Sequence, residues 1–204
     1  MEQLISINRW LKPLTPGRAV LLWGGALRPL AAAAAAWGAV RTAGVLVLDA
    51  ANVFDPYHLV REARSRGLSR HEALHRVRVA RAFTCHQLVR LAAEELAPAL
   101  TPGSLVLILG PVSLFYDDQV PLPERQRLCR HLTTTLAAVK TTNPLLLLQP
   151  HRPQGAANHR FGQILAPLVD VFGEIGGGGQ GLPQAGKPAP PAPAASFTLS
   201  LPAS

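Results

Sequence analysis

Residues 101–111, TPGSLVLILGP, decide the fold. Five apolar residues, Leu105–Leu109, stand between a Pro102-Gly103 breaker and a Gly110-Pro111 breaker. The run shows no alternation of apolar and polar residues, which is how a strand of a parallel sheet covered on both faces reads. Outward along the chain the same signature recurs. Gly44–Asp49 (GVLVLD) ends in a polar turn, Leu145–Gln149 (LLLLQ) lies between Asn143-Pro144 and Pro150, and Ala19–Trp23 (AVLLW) ends at Gly24-Gly25. Arg76–Phe83 (RVRVARAF) alternates instead, as a strand with one wet face does.

Between these runs lie helical segments. Leu30–Val40 is Ala-rich, and Pro56–Arg66 follows an Asp55 N-cap with Pro at the first helical position. Ser69 and Glu72 have the spacing of a capping box. Cys85–Ala97 and Glu124–Lys140 are the long amphipathic stretches. Strands alternating with helices predict an α/β fold of three layers around a central, mostly parallel sheet.

The 204 residues suffice for one domain, and an apolar fraction of 48% with only 5% aromatics predicts a core of Leu, Val and Ala. Three parts are expected: an N-terminal segment, 1–18; a core, 19–175; and a tail, 176–204, that is Gly-rich and then Pro/Ala-rich and has little to bury. Within that tail, SFTLSLPAS reads as a frayed end in preference to a docking strand. The apolar stretch 19–40 is broken by Gly24, Gly25, Arg28, Pro29 and Gly38, so strand, turn and helix fit it better than a membrane span. The opening MEQLISINRW lacks a basic-then-apolar signal pattern, which favours a cytoplasmic, nucleoid or nuclear location.

The formal net charge is +8, and the last 29 residues contribute only Lys187 to the charged set. A basic globule points to anionic partners, nucleic acid first. Arg125, Arg127, Arg130 and His131 form one basic stretch. Cys85 and Cys129, far apart and without a partnering His-Asp pattern, read as small buried apolar residues. His71-Glu72-Ala73-Leu74-His75 matches HExxH, whose two His share a helix face and can hold Zn²⁺ with Glu as base. The helix ahead of Val77 is short and no third-ligand motif follows, so an exposed polar turn is preferred and no metal or cofactor is expected.

Gly67–Leu91, GLSRHEALHRVRVARAFTCHQLVRL, resembles the archaeal and eukaryotic branch of the RecA-like strand-exchange recombinases. The likeness lies in a Gly-Leu, a short helix, a strand ending Ala80-Arg81-Ala82-Phe83 and a Gln/Leu-bearing helix. Val47–Leu59 is similar to the family's strand ending in Asp-Thr-Glu-Gly-x-Phe, and Leu105–Leu132 to its Walker B strand, loop and helix start at Glu124-Arg125-Gln126. In all, the resemblance spans residues 19–175 and implies a RecA-like core.

Departures from the family pattern concern its nucleotide site. That site needs a Gly-rich loop and Gly-Lys-Thr so that backbone N–H groups and a lysine cradle the phosphates. The corresponding turn here is Gly24-Gly25-Ala26-Leu27-Arg28-Pro29-Leu30. The family's catalytic Glu falls on Ala51, its Walker B Asp on Gly110, and its strand-end Asn-Gln pair near Pro150 and His151. Phosphoryl transfer relies on positioning and charge from these groups, so the resemblance implies a pseudo-ATPase. The family's two DNA-contacting loops correspond to Tyr116–Pro123, short and acidic, and His151–Arg160, short and basic.

The expectation is therefore a catalytically inactive recombinase paralogue, an accessory factor in DNA recombination or repair that binds a recombinase or repair partner. Arg152, His159 and Arg160, with Arg125 and Arg127, are its candidate contacts to single-stranded DNA. The alternatives are a weak ATPase rebuilt around Arg28, a scaffold unrelated to DNA, and a zinc hydrolase using His71 and His75.

Overall fold

A computed structural model describes residues 10–25, 27–157, 159–175 and 196–199. Seven strands form one sheet: β1 (Ala19–Gly24), β2 (Val45–Asp49), β3 (Val77–Arg81), β4 (Leu105–Leu109), β5 (Leu145–Gln149), β6 (Val171–Ile175) and β7 (Ser196–Leu199). The order across the sheet is β3-β2-β4-β5-β1-β6-β7, and every pairing is parallel. The helices are α1 (Leu27–Arg41), α2 (Pro56–Arg64), α3 (Arg70–Arg76), α4 (Cys85–Arg90), α5 (Ala97–Ala99), α6 (Leu122–Lys140) and α7 (Phe161–Leu165). All five strands expected from sequence are present.

Burial explains why the central runs lack alternation. Leu46, Leu48, Val106, Ile108, Leu145 and Leu147 face a core built with α4, α6 and α7. Their neighbours Val45, Val47, Leu105, Leu107, Leu146 and Leu148 face a second core with α1 and α2. Each central strand is dry on both sides, the three-layer RecA-like arrangement. On the α1 side, the helix presents Ala31, Ala34, Ala35 and Ala39, all fully buried, so small side chains bring it close to the sheet.

Local signals hold at the helix starts. Asp55 caps α2, accepting from the Tyr57 N–H at 2.8 Å, with Pro56 beginning the helix. The capping box of α3 is complete: Glu72 N–H donates to Ser69 Oγ at 3.2 Å and Ser69 N–H donates to Glu72 Oε2 at 2.9 Å. The expected Cys85–Ala97 helix is divided. A π-helical stretch, Leu91–Leu96, joins α4 to α5 just before Pro98, which has no N–H to return to the preceding turn.

Two boundaries differ from the sequence expectation. Trp10, Leu11 and Leu14, from the segment set apart as 1–18, are buried in the α1-side core, and the Trp10 ring fills the space above Gly173 of β6. In the tail, expected to be without order, Ser196–Leu199 is instead strand β7, paired from Phe172–Ser196 to Ile175–Leu199. The frayed-end reading is thus corrected for Ser196–Leu199: β1 pairs one edge of β6 and leaves the other to β7, and Phe and Thr suit a strand. The rest of the tail lies outside the described residues. Among the described residues, no helix is long and apolar enough to cross a membrane.

Candidate functional site

Topology brings the candidate residues to one edge. From their C-terminal ends, β1 and β2 lead to helices on one face, while β4 and β5 lead to helices on the other. The chain therefore parts between β2 and β4 and between β5 and β1, the crevices where ligands of open α/β sheets gather. Gly24 ends β1 and Gly25 and Arg28 follow it, Ala51 follows β2, Gly110 follows β4, and Arg152, His159 and Arg160 follow β5.

The turn after β1 is too tight for a phosphate cradle. The strand ends at Gly24 and α1 begins at Leu27, leaving only positions 25 and 26 between them. Gly24 has φ of +143°, and a Cβ there would stand 1.9 Å from the Ile175 carbonyl oxygen. Leu27 N–H, at the start of α1, donates back to the Gly25 carbonyl at 2.9 Å. A phosphate nest needs a run of outward-facing N–H groups, and this turn directs that one inward. Arg28 is exposed on the first turn of α1, where Pro29 is tolerated.

Between β2 and β4 the edge is closed. Gly110 adopts φ of +71°, and a Cβ there would lie 2.6 Å from Ser113 Oγ and 2.9 Å from Ala51 Cβ. The positions matched to the family's Walker B Asp and catalytic Glu thus pack against each other with no room for an acid at 110. Gln149, at the end of β5, locks the loop above: its Oε1 accepts from Val112 N–H at 3.0 Å and its Nε2 donates to Ser113 Oγ at 3.2 Å. Asp49 is fully buried and committed, accepting from Val53 N–H at 3.1 Å and Phe54 N–H at 2.9 Å. Arg81 Nε lies 3.5 Å from the same carboxylate and Arg81 also donates to the Phe54 carbonyl at 2.8 Å. That carboxylate shapes the 50–54 turn, in keeping with its reading as a strand-end residue.

The basic loop after β5 is open. Arg152 and Arg160 are exposed, and His159 meets Phe161 edge-on at 5.9 Å. Burial pushes the Tyr116 hydroxyl up from its ordinary value, and the nearby Arg152 charge opposes that rise. Arg127 is exposed on α6, 3.9 Å from Glu124. Arg125 requires correction as a DNA contact: it is only 5% exposed, and its Nη1 donates to the Phe115 carbonyl at 3.1 Å beneath the loop after β4. Its place facing into the protein on α6 follows from helical spacing, since Leu128, Cys129 and Leu132 are buried beside it.

Sequence reasoning missed the aromatic groups at this edge. Trp23 stacks on Phe172 with centroids 6.0 Å apart and meets His151 edge-on at 5.8 Å. Trp23 ended a strand run and Phe172 lay outside the five runs read from sequence; only the pairing of β1 with β6 joins them.

The HExxH residues are otherwise employed. His71 and His75 stack at 6.2 Å, but the Glu72 carboxylate accepts from both the Ser69 N–H and hydroxyl. Among the described residues no three His, Cys, Asp or Glu groups are placed to hold a metal. Cys85 and Cys129 are buried, and burial pushes the Cys129 thiol up to about 12.

A second surface lies at the opposite end of the sheet. Edge strand β3 exposes Val79, and a cavity of about 140 Å³ opens beside it, lined by Arg78, Ala80, Leu91, Leu96 and Ala99 among others. Phe83, just past the strand, is 64% exposed. No family model matches the sequence.

Proposed function

We propose that this chain is a non-hydrolysing paralogue of the RecA-like recombinases, an accessory factor in DNA recombination or repair. It acts by binding a recombinase or repair partner and by touching single-stranded DNA through the loop 151–160. The observation that carries the reading is the close approach of Gly110 to Ala51 and Ser113. Where the family pattern places two acids, a phosphate-transferring site is filled with protein. The parallel sheet and the basic loop at its C-terminal edge remain available for binding.

Partner binding is best supported at the β3 edge, where unpaired strand groups and an apolar groove suit an added extended segment. Calorimetry with Mg²⁺-ATP tests the first half of the proposal. The expected affinity is no better than about millimolar, roughly 4 kcal/mol. Micromolar binding would favour the weak ATPase instead. Salt-sensitive binding of single-stranded DNA separates the accessory reading from a scaffold unrelated to DNA.

A further inference from the structure

The basic loop opens with an imidazole, His151, that is exposed and stands against a cluster of rings. Trp23 is the fifth residue of β1, and Phe172 the second of β6. Register pairs Leu21 with Phe172 and Trp23 with Glu174, so Trp23 and Phe172 are diagonal neighbours on one face. Their rings lie 27° from parallel, and His151 closes on Trp23 at 73°. On that face the buried core reaches β1 only at Ala19 and Leu21 and includes no residue of β6. Phe172 accordingly remains 36% exposed.

Trp23 Nε1 is buried and makes no hydrogen bond, a cost that a phenyl or aliphatic side chain would avoid. The charge around the rings is asymmetric. His151 leads straight into exposed Arg152, with Arg160 at the far end of the same loop, whereas half-buried Glu174 shares the sheet face with the rings. A flat, polarisable ligand with an anionic backbone fits this asymmetry, its planes on the rings and its charge toward the loop.

We propose that Trp23, Phe172 and His151 form a base-stacking platform for single-stranded DNA, with the phosphates held by Arg152 and the rest of loop 151–160. The proposal rests on the DNA-contact reading above and adds where the bases go.

The test is a titration of the full chain with a labelled oligothymidylate and with an abasic oligonucleotide of equal length, read by anisotropy and tryptophan emission. Oligothymidylate is expected to quench emission and to bind about 5- to 160-fold more tightly than the abasic strand, the range for stacking of one base. Phe172→Leu, which keeps the apolar bulk, should erase that preference and leave the salt dependence unchanged. Phe172→Tyr should retain it. Equal affinity of the two strands, or a Phe172→Leu chain that still prefers oligothymidylate, overturns the platform while leaving the basic loop intact. If neither strand binds at low salt, the DNA-contact reading itself fails. Emission changes that depend on protein concentration without DNA would make the patch a self-association surface and overturn the proposal.

Discussion

Two crevices lie along the same edge of the same sheet, and they have opposite character. Between β2 and β4, Gly110, Ala51, Ser113 and Gln149 close on one another and Asp49 spends its charge on local backbone. Between β5 and β1, continuing to β6, the edge keeps an open basic loop and a row of rings. Topology makes both of them places where a ligand can sit. Side-chain size and commitment decide which one is open, so the fold by itself says little about a reaction.

The closed side is the easier to break. Gly24→Ala should have the largest effect, because its Cβ would overlap the Ile175 carbonyl at 1.9 Å and the backbone there has positive φ. A loss of about 4 kcal/mol in urea unfolding is expected. Gly110→Asp, which places an acid where the resemblance implies one, should cost about 3 kcal/mol and bring no Mg²⁺-ATP binding in calorimetry. A well-folded Gly110→Asp chain that binds nucleotide would mean that the crevice opens readily.

Arg125 and Arg152 carry the comparison at the level of single side chains. Arg125→Ala leaves the buried Phe115 carbonyl without its donor, and about 2 kcal/mol of stability should go with it. Its DNA salt dependence should match that of the unaltered chain. If Arg125→Ala instead weakened DNA binding at unchanged stability, the side chain would be reaching the surface.

A smaller effect is expected far from either crevice. Ser69→Ala removes the α3 cap, at about 1 kcal/mol. Hydrogen bonds from the Ser69 hydroxyl and N–H hold the Glu72 carboxyl below its ordinary value of 4.5. The sign follows: because the folded value is the lower one, the contribution of Glu72 is present above 4.5 and is lost as pH falls through the folded value. Acid unfolding curves of the parent and of Glu72→Gln should converge below that range. Curves that stayed apart there would place the carboxylate in some other role.

How much was legible in the sequence differs between the two sides in the same way. Leu105–Leu109 and Leu145–Gln149 announced buried parallel strands, since a strand dry on both faces has no alternation to hide. Local caps at Asp55 and Ser69 were equally plain, because their partners lie within three residues. Gly110 could be matched to a missing acid, but not to a closed wall, which depends on Ala51 and Ser113 arriving from other turns. Arg125 read as surface because its neighbours in sequence are charged, while the helix turns it toward Phe115. Trp23 and Phe172 stand 149 positions apart, and no pattern within either segment brings them together. Strand β7 was under-read for a similar reason: its partner edge exists only once β6 is in place.

The open side gives the smallest change in stability and the sharpest change in binding. Arg152 is exposed on a loop, and a surface truncation away from buried partners should stay within about 0.5 kcal/mol. Each lysine or arginine that neutralises a phosphate releases counterions, so losing one should reduce the slope of log affinity against log salt by about 0.7 for a single strand. Arg152→Ala should therefore bind DNA more weakly at low salt and approach the parent as salt rises, with its melting curve unmoved. Arg160→Ala is a poorer probe, because its backbone at φ of +58° starts α7 and the residue is engaged in interactions of its own. An unchanged slope in Arg152→Ala would remove the loop from the interface and leave Arg127 on α6 as the next candidate. A slope reduced in Arg127→Ala and not in Arg152→Ala would move the nucleic acid from the β5–β1 crevice to the exposed face of that helix.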